Sequence, residues 1–173
     1  FEGHVATLNT RPVMAAALTG LLRPLLDSVN MVSAPVIARE RDIRCTEVKR
    51  EEPSDYETLI RLTVETERMK RSVAGTLFGG SRPRIVEIKG IPIEAELGPH
   101  MLYLTNRDKP GVIGDLGRML ADSKVNIATF HLGRAEQGGD AIALLQVDQS
   151  VEKDLLDRIA ALPNVVQAKA LEF

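Results

Sequence analysis

Three polar side chains, Asn106, Asp108 and Asn126, carry the most pointed chemistry in this sequence. Asn106-Arg107-Asp108-Lys109-Pro110-Gly111-Val112-Ile113-Gly114 follows a short apolar run, and Pro110-Gly111 opens a stretch of helical period. The first turn of a helix has unpaired N–H groups and a partial positive charge, so it can receive a carboxylate. Asp108 can take an ammonium, and Asn106 or Asn126 a small hydroxyl. Together with Pro110, Gly111, Val112 and Ile113 at the helix start, they would hold an amino acid zwitterion. The competing explanation is local: Asp108 caps the helix and Asn126 terminates a turn. Capping gives no reason for three polar groups to converge on one end of a sheet, which is where this reading expects them. On the residues alone, both explanations stand.

Other chemistry is thinner. No Gly-x-Gly-x-x-Gly and no Gly-x-x-x-x-Gly-Lys-Ser/Thr occurs, so neither route to a dinucleotide or nucleoside triphosphate is open in this chain. His4, His100 and His131 are far apart, and no His-Glu-x-x-His is present, so no metal site is expected. Cys45 stands alone and reads as a mildly apolar position, not a nucleophile. Glu94 and Glu96 fall on one face of an alternating run and read as a solvated face. Arg39, Arg41, Arg44, Lys49 and Arg50 are interleaved with Glu40, Asp42, Glu47, Glu51 and Glu52, a mixed-charge surface.

The elements that must position the polar trio follow from hydrophobic period. Residues 1–8 are mildly β-prone. Leu18, Leu21, Leu22, Leu25 and Leu26 mark one face of a helix that starts near Asn9-Thr10-Arg11-Pro12, with a kink or an end expected at Pro24. A second helix is expected over 30–41, capped by Asn30 or Ser33. From Ile43 the period changes to two. Strands are expected around 60–65, 71–78, 84–89 and 91–97, with turns at 79–83 and at Lys89-Gly90. Gly98-Pro99 then marks a boundary between a domain over 1–97 and a second over 98–173. The second reads strand (101–105), helix (110–123), strand (125–134), strand (141–148), helix (151–162), strand (164–171). That βαββαβ order is ferredoxin-like, and the whole chain is of α+β class. Such a fold hosts many functions, so the site must carry the functional argument.

The bulk numbers bound the rest. The chain has 173 residues, 22 basic against 24 acidic, a net charge of −2, and 44% hydrophobic content. No basic excess points to nucleic acid, and no apolar run approaches the roughly 18 residues of a membrane span. One cysteine builds no disulfide framework, which fits a reducing, cytoplasmic setting. The start at Phe1, without methionine, suggests a piece of a longer chain.

Asn106 to Gly114, followed by Val125-Asn126-Ile127-Ala128, resembles an ACT domain, a small-molecule-sensing module. Phe130-His131-Leu132-Gly133-Arg134, Ala160 to Val165 and Lys169-Ala170-Leu171 resemble the end of long-form D-3-phosphoglycerate dehydrogenases. Leu8 to Pro12, Val29 to Pro35 and Gly75-Thr76-Leu77-Phe78-Gly79 resemble that family's intervening domain. The resemblance implies a non-catalytic regulatory region of an oxidoreductase of L-serine biosynthesis. Its NAD would belong to catalytic domains outside this chain, with no cofactor inside it. It also implies ACT domains paired in a homodimer, in a tetrameric parent, with L-serine bound at the ACT–ACT interface for allosteric feedback. Asn106, Asp108 and Asn126 match effector-contacting positions of the family. Arg84 matches one basic position of an anion site in some relatives, but Ile91, Glu96 and a place near Gln146 stand where other basic groups align. Two other functions remain in view: the β-type portion of an iron–sulfur L-serine dehydratase, and a purely structural oligomerisation module. The cluster of that dehydratase needs several cysteines, so a partner chain would have to supply the catalysis.

Overall fold

The computed structural model describes residues 1–52 and 54–173, which fall into two compact units, Phe1–Leu62 and Thr63–Phe173. In the first, β1 (Glu2–Gly3) pairs antiparallel with the opening residues of β2 (Thr58–Glu65). A 3-10 turn over His4–Thr7 follows β1, where a short strand was expected to continue. Helix α1 (Arg11–Leu22) ends two residues before Pro24, and Arg23–Leu25 tightens into a 3-10 turn. Proline lacks the N–H that the next helical turn needs. The break also releases Leu25 from the apolar stripe, and it is exposed.

Helix α2 (Ala34–Glu40) is shorter than the 30–41 expected. Asn30 Oδ1 accepts from the N–H groups of Val32 and Ser33, so that residue builds the turn before the helix. Leu18 and Leu22 of α1 pack on Ala34 and Ala38 of α2, with Val29 between. The period-two pattern from Ile43 does not become a strand before Thr58; among the described residues, 43–57 contribute one bridge, Arg50 beside Glu2. Scattered backbone bonds, such as Arg50 N–H to Phe1 O at 2.9 Å, and side chains hold that stretch instead. The buried Thr10 hydroxyl donates to Glu47, whose carboxyl is thereby held below its usual range, and Lys49 pairs with Glu47 at 3.5 Å.

The second unit opens with β3 (Lys70–Phe78), β4 (Arg82–Ile88) and β5 (Ile91–Glu96), antiparallel in chain order. The turn expected at 79–83 narrows to Gly79-Gly80-Ser81, since Arg82 and Pro83 already pair with Phe78 and Leu77. Lys89 and Gly90 both have positive φ, 53° and 79°, as a two-residue primed hairpin requires.

Then come β6 (His100–Arg107), α3 (Val112–Asp122), β7 (Ile127–Arg134), β8 (Asp140–Val147), α4 (Lys153–Ala160) and β9 (Val165–Glu172). The sheet order is β7-β8-β6-β9, the βαββαβ arrangement expected. Leu116 and Leu120 of α3 and Leu155 and Ile159 of α4 cover one sheet face, packing on Leu102, Leu104 and Leu145. On the other face Met101, Ile142 and Leu144 meet Ile91, Ile93 and Ala95 of β5. β8 is therefore buried on both faces, which explains its unbroken apolar run Ala141–Leu145. The α+β class read from the sequence is the class observed.

Candidate functional site

The end of β6 and the start of α3 form the polar corner. Asn106 is buried and its Nδ2 donates to Arg107 O at 2.8 Å, turning its amide back along the strand. Arg107 N–H donates to Asn164 O, and Asp108 N–H to Gly139 O, each at 2.8 Å. The loop is thus tied on both sides before the helix begins.

Asp108 does not cap α3. Its Oδ2 accepts from the Gly138 N–H and from Arg134 Nη1, both at 3.1 Å. The Gly138 bond and then Arg134 hold its carboxyl below the ordinary aspartate range. Gly138 has φ 76°, a conformation glycine adopts without strain, and this turns its N–H towards Asp108. Both contacts fall on Oδ2, so Oδ1 has no partner among the described residues. The helix N-cap is Gly111, φ 101°, and no side chain caps the helix. Its first internal bond is Asp115 N–H to Gly111 O at 2.9 Å, so the N–H groups of Val112, Ile113 and Gly114 precede the ladder. The capping explanation for Asp108 therefore fails, and the helix start is open to an anion.

The remaining expected contacts divide. Pro110 and Gly111 are exposed, and Ile113 is half-exposed. Val112 turns its side chain inward and is buried, so only its N–H faces the corner in this role. Asn126 is elsewhere. Its Nδ2 donates to Asp148 Oδ2 at 2.8 Å and its carbonyl accepts from Asp148 N–H at 3.2 Å. Asp148 follows the last residue of β8, whereas Asn106 pairs with Ala141 near the first. The expectation that Asn106, Asp108 and Asn126 share one sheet end is thus corrected within a single chain. The reason is topological: α3 leaves from the end of β6 and runs back, so β7 must begin at the opposite end.

Arg84 is already occupied. It is salt-bridged to Glu96, one of the positions where an anion site would need a second cation, and its guanidinium lies 5.6 Å from the Phe78 ring centroid. Among the described residues no group of three metal-ligating side chains gathers, and no helix is long and apolar enough to cross a membrane.

Sequence reasoning did not single out Arg134 and Gly138 as neighbours of Asp108. The signal was present in the Gln137-Gly138-Gly139-Asp140 turn: once β7 and β8 are paired across it, Arg134 lies opposite Ala141, beside the end of β6.

Comparison with known proteins finds two family models on this chain. Residues 1–89 match the D-3-phosphoglycerate dehydrogenase intervening domain, and residues 100–164 match the ACT domain. The chain is similar to D-3-phosphoglycerate dehydrogenase of Bacillus subtilis, 36% identical over 100% of this chain and 33% of that protein. It is 35% identical to the Archaeoglobus fulgidus enzyme over 99% of this chain and 33% of that protein, and 32% identical to the Methanocaldococcus jannaschii enzyme over 95% and 31%. The chain spans about a third of the length of these relatives.

Proposed function

The chain belongs to the D-3-phosphoglycerate dehydrogenase intervening-domain family and carries an ACT domain after it, and on that footing we propose that it is the effector-sensing region of such an enzyme, binding L-serine between two ACT domains. The observation that carries this reading is the corner itself: an uncapped helix start beside a carboxylate with one oxygen still open. A zwitterion has a group for each, its carboxylate for the helix N–H groups and its ammonium for Asp108. Asn126 stands at the wrong end of its own chain to help, but two ACT domains related by a two-fold axis can bring the Asn126 end of one beside the Asp108 corner of the other. In this reading residues 1–97 are the intervening domain and 98–173 the sensing domain.

L-Serine would then act without any chemistry on it. It would favour one arrangement of the paired subunits, a coupling typically of about 1–3 kcal/mol. The oxidoreductase step, its NAD, the tetrameric assembly and the cytoplasmic setting belong to the whole enzyme and are part of the same proposal. Nothing in the reading gives Arg84 an anion to bind, because Glu96 already neutralises it. Calorimetric titration of the dimeric chain with millimolar L-serine tests the proposal: heat of binding and a raised Tm are expected, and the absence of both defeats it.

A further inference from the structure

The carboxylate assigned to the effector's ammonium is not waiting alone. One oxygen of Asp108 holds both Arg134, the last residue of β7, and Gly138, in the turn to β8. Two further bonds tie the hairpin to the end of β6 and the residue after it: Arg107 Nη1 to Asp140 Oδ1 at 2.6 Å, and Asp108 N–H to Gly139 O at 2.8 Å. We propose that Arg134 is an internal competitor for the ammonium of the bound amino acid, so that occupancy of Asp108 is linked to loss of the Arg134 tie between the end of β7 and the loop after β6. This rests on the ammonium-binding reading above and adds the regulation of that site.

The physical argument compares three donors. An ammonium arriving at Oδ1 puts a second full cation on a carboxylate whose charge Arg134 already shares. Repulsion between the two cations weakens both bonds. The Gly138 N–H carries no net charge and has no such conflict. Arg134 is the one that can leave at small cost: its side chain is 57% exposed, so water receives the guanidinium. Its departure removes one of the ties that hold β7 against the loop. β7 is an edge strand of the sheet, so the change appears on a surface that a second chain can read. Linkage is reciprocal: whatever frees Arg134 from Asp108 must also tighten amino-acid binding.

Arg134→Gln removes the competing charge and keeps most of the side-chain length, while Arg134→Lys keeps a cation. Titrating L-serine calorimetrically into the full chain should show Arg134→Gln binding roughly two- to fivefold tighter than the wild type, the scale of one exposed ion pair. Arg134→Lys should stay close to wild type. A gain of affinity cannot arise from a damaged fold, so it separates competition from a structural role. Equal or weaker binding by Arg134→Gln overturns the competition while leaving the effector reading intact. Absence of heat from all three proteins overturns the effector reading, and the competition with it.

Discussion

Asn106 and Asn126 lie at opposite ends of the same four-stranded sheet. Asn106 pairs with Ala141 at one end of β8, and Asn126 is hydrogen-bonded to Asp148 just past the other. Seven residue steps along a strand are about 23 Å at roughly 3.3 Å each. No free amino acid spans that distance. If both asparagines serve one ligand, they do so from different chains, and the site is a property of the pair.

The four-stranded sheet is closely covered by β5, and Gly133 marks the tightest point. A Cβ on Gly133 would collide with the Pro92 carbonyl and lie 3.1 Å from Ile91 Cγ2 and 3.3 Å from Ile93 Cβ. The obstruction is backbone, which cannot swing aside. Gly133→Ala should therefore lower stability by about 1–3 kcal/mol or more, read as a fall in the urea midpoint. Gly20 is the opposite case, exposed inside α1 with nothing near its missing Cβ. Gly20→Ala should raise stability by about 0.5–1 kcal/mol. Two substitutions of identical chemistry are thus expected to move the midpoint in opposite directions.

The state of Asp108 sets a pH dependence. The Gly138 N–H and Arg134 favour its charged form, so its folded value lies below the ordinary one of about 3.9. The unfolded state then binds the proton more readily, and the stabilisation is fully present above the unfolded value. It is lost as the pH falls through the folded value. Urea melts of the wild type and Asp108→Asn should show the wild type ahead at pH 7, with a gap that holds down to about pH 4 and narrows below it. A gap independent of pH would show that the charge on Asp108 contributes nothing.

Much of this molecule could be read from its sequence, for identifiable reasons. In α3, Val112, Leu116 and Leu120 recur at helical spacing because one face meets a sheet, and all three are buried. The Lys89-Gly90 turn was legible because a two-residue hairpin needs positive φ at both positions. The change of period at Ile43 comes before any strand because alternation describes extended chain, and extended chain becomes a strand only where a neighbour completes the ladder; the Thr10–Glu47 bond and the bridge at Arg50 occupy that place.

The corner was half legible. Asp108 before Pro110-Gly111 looked like a cap, since a cap is a local signal. Its actual partners, Arg134 and Gly138, arrive through pairing of β7 with β8, which is signalled in the turn at 137–140 and not in the residues around Asp108. Asn126 was misplaced because proximity in the motif was taken for proximity in space, although a crossover helix carries the chain to the far end of the sheet.

The most direct test of a site shared by two chains uses two defective proteins. Asp108→Ala and Asn126→Ala should each fail to bind L-serine as homodimers. When equal amounts are mixed and allowed to exchange subunits, each hybrid dimer regains one site, with Asp108 from one chain and Asn126 from the other. Calorimetry should then recover about a quarter of the wild-type binding capacity, as two-fold symmetry and random exchange dictate. No recovery on mixing, or wild-type affinity in the Asn126→Ala homodimer, would contradict a site built across the pair.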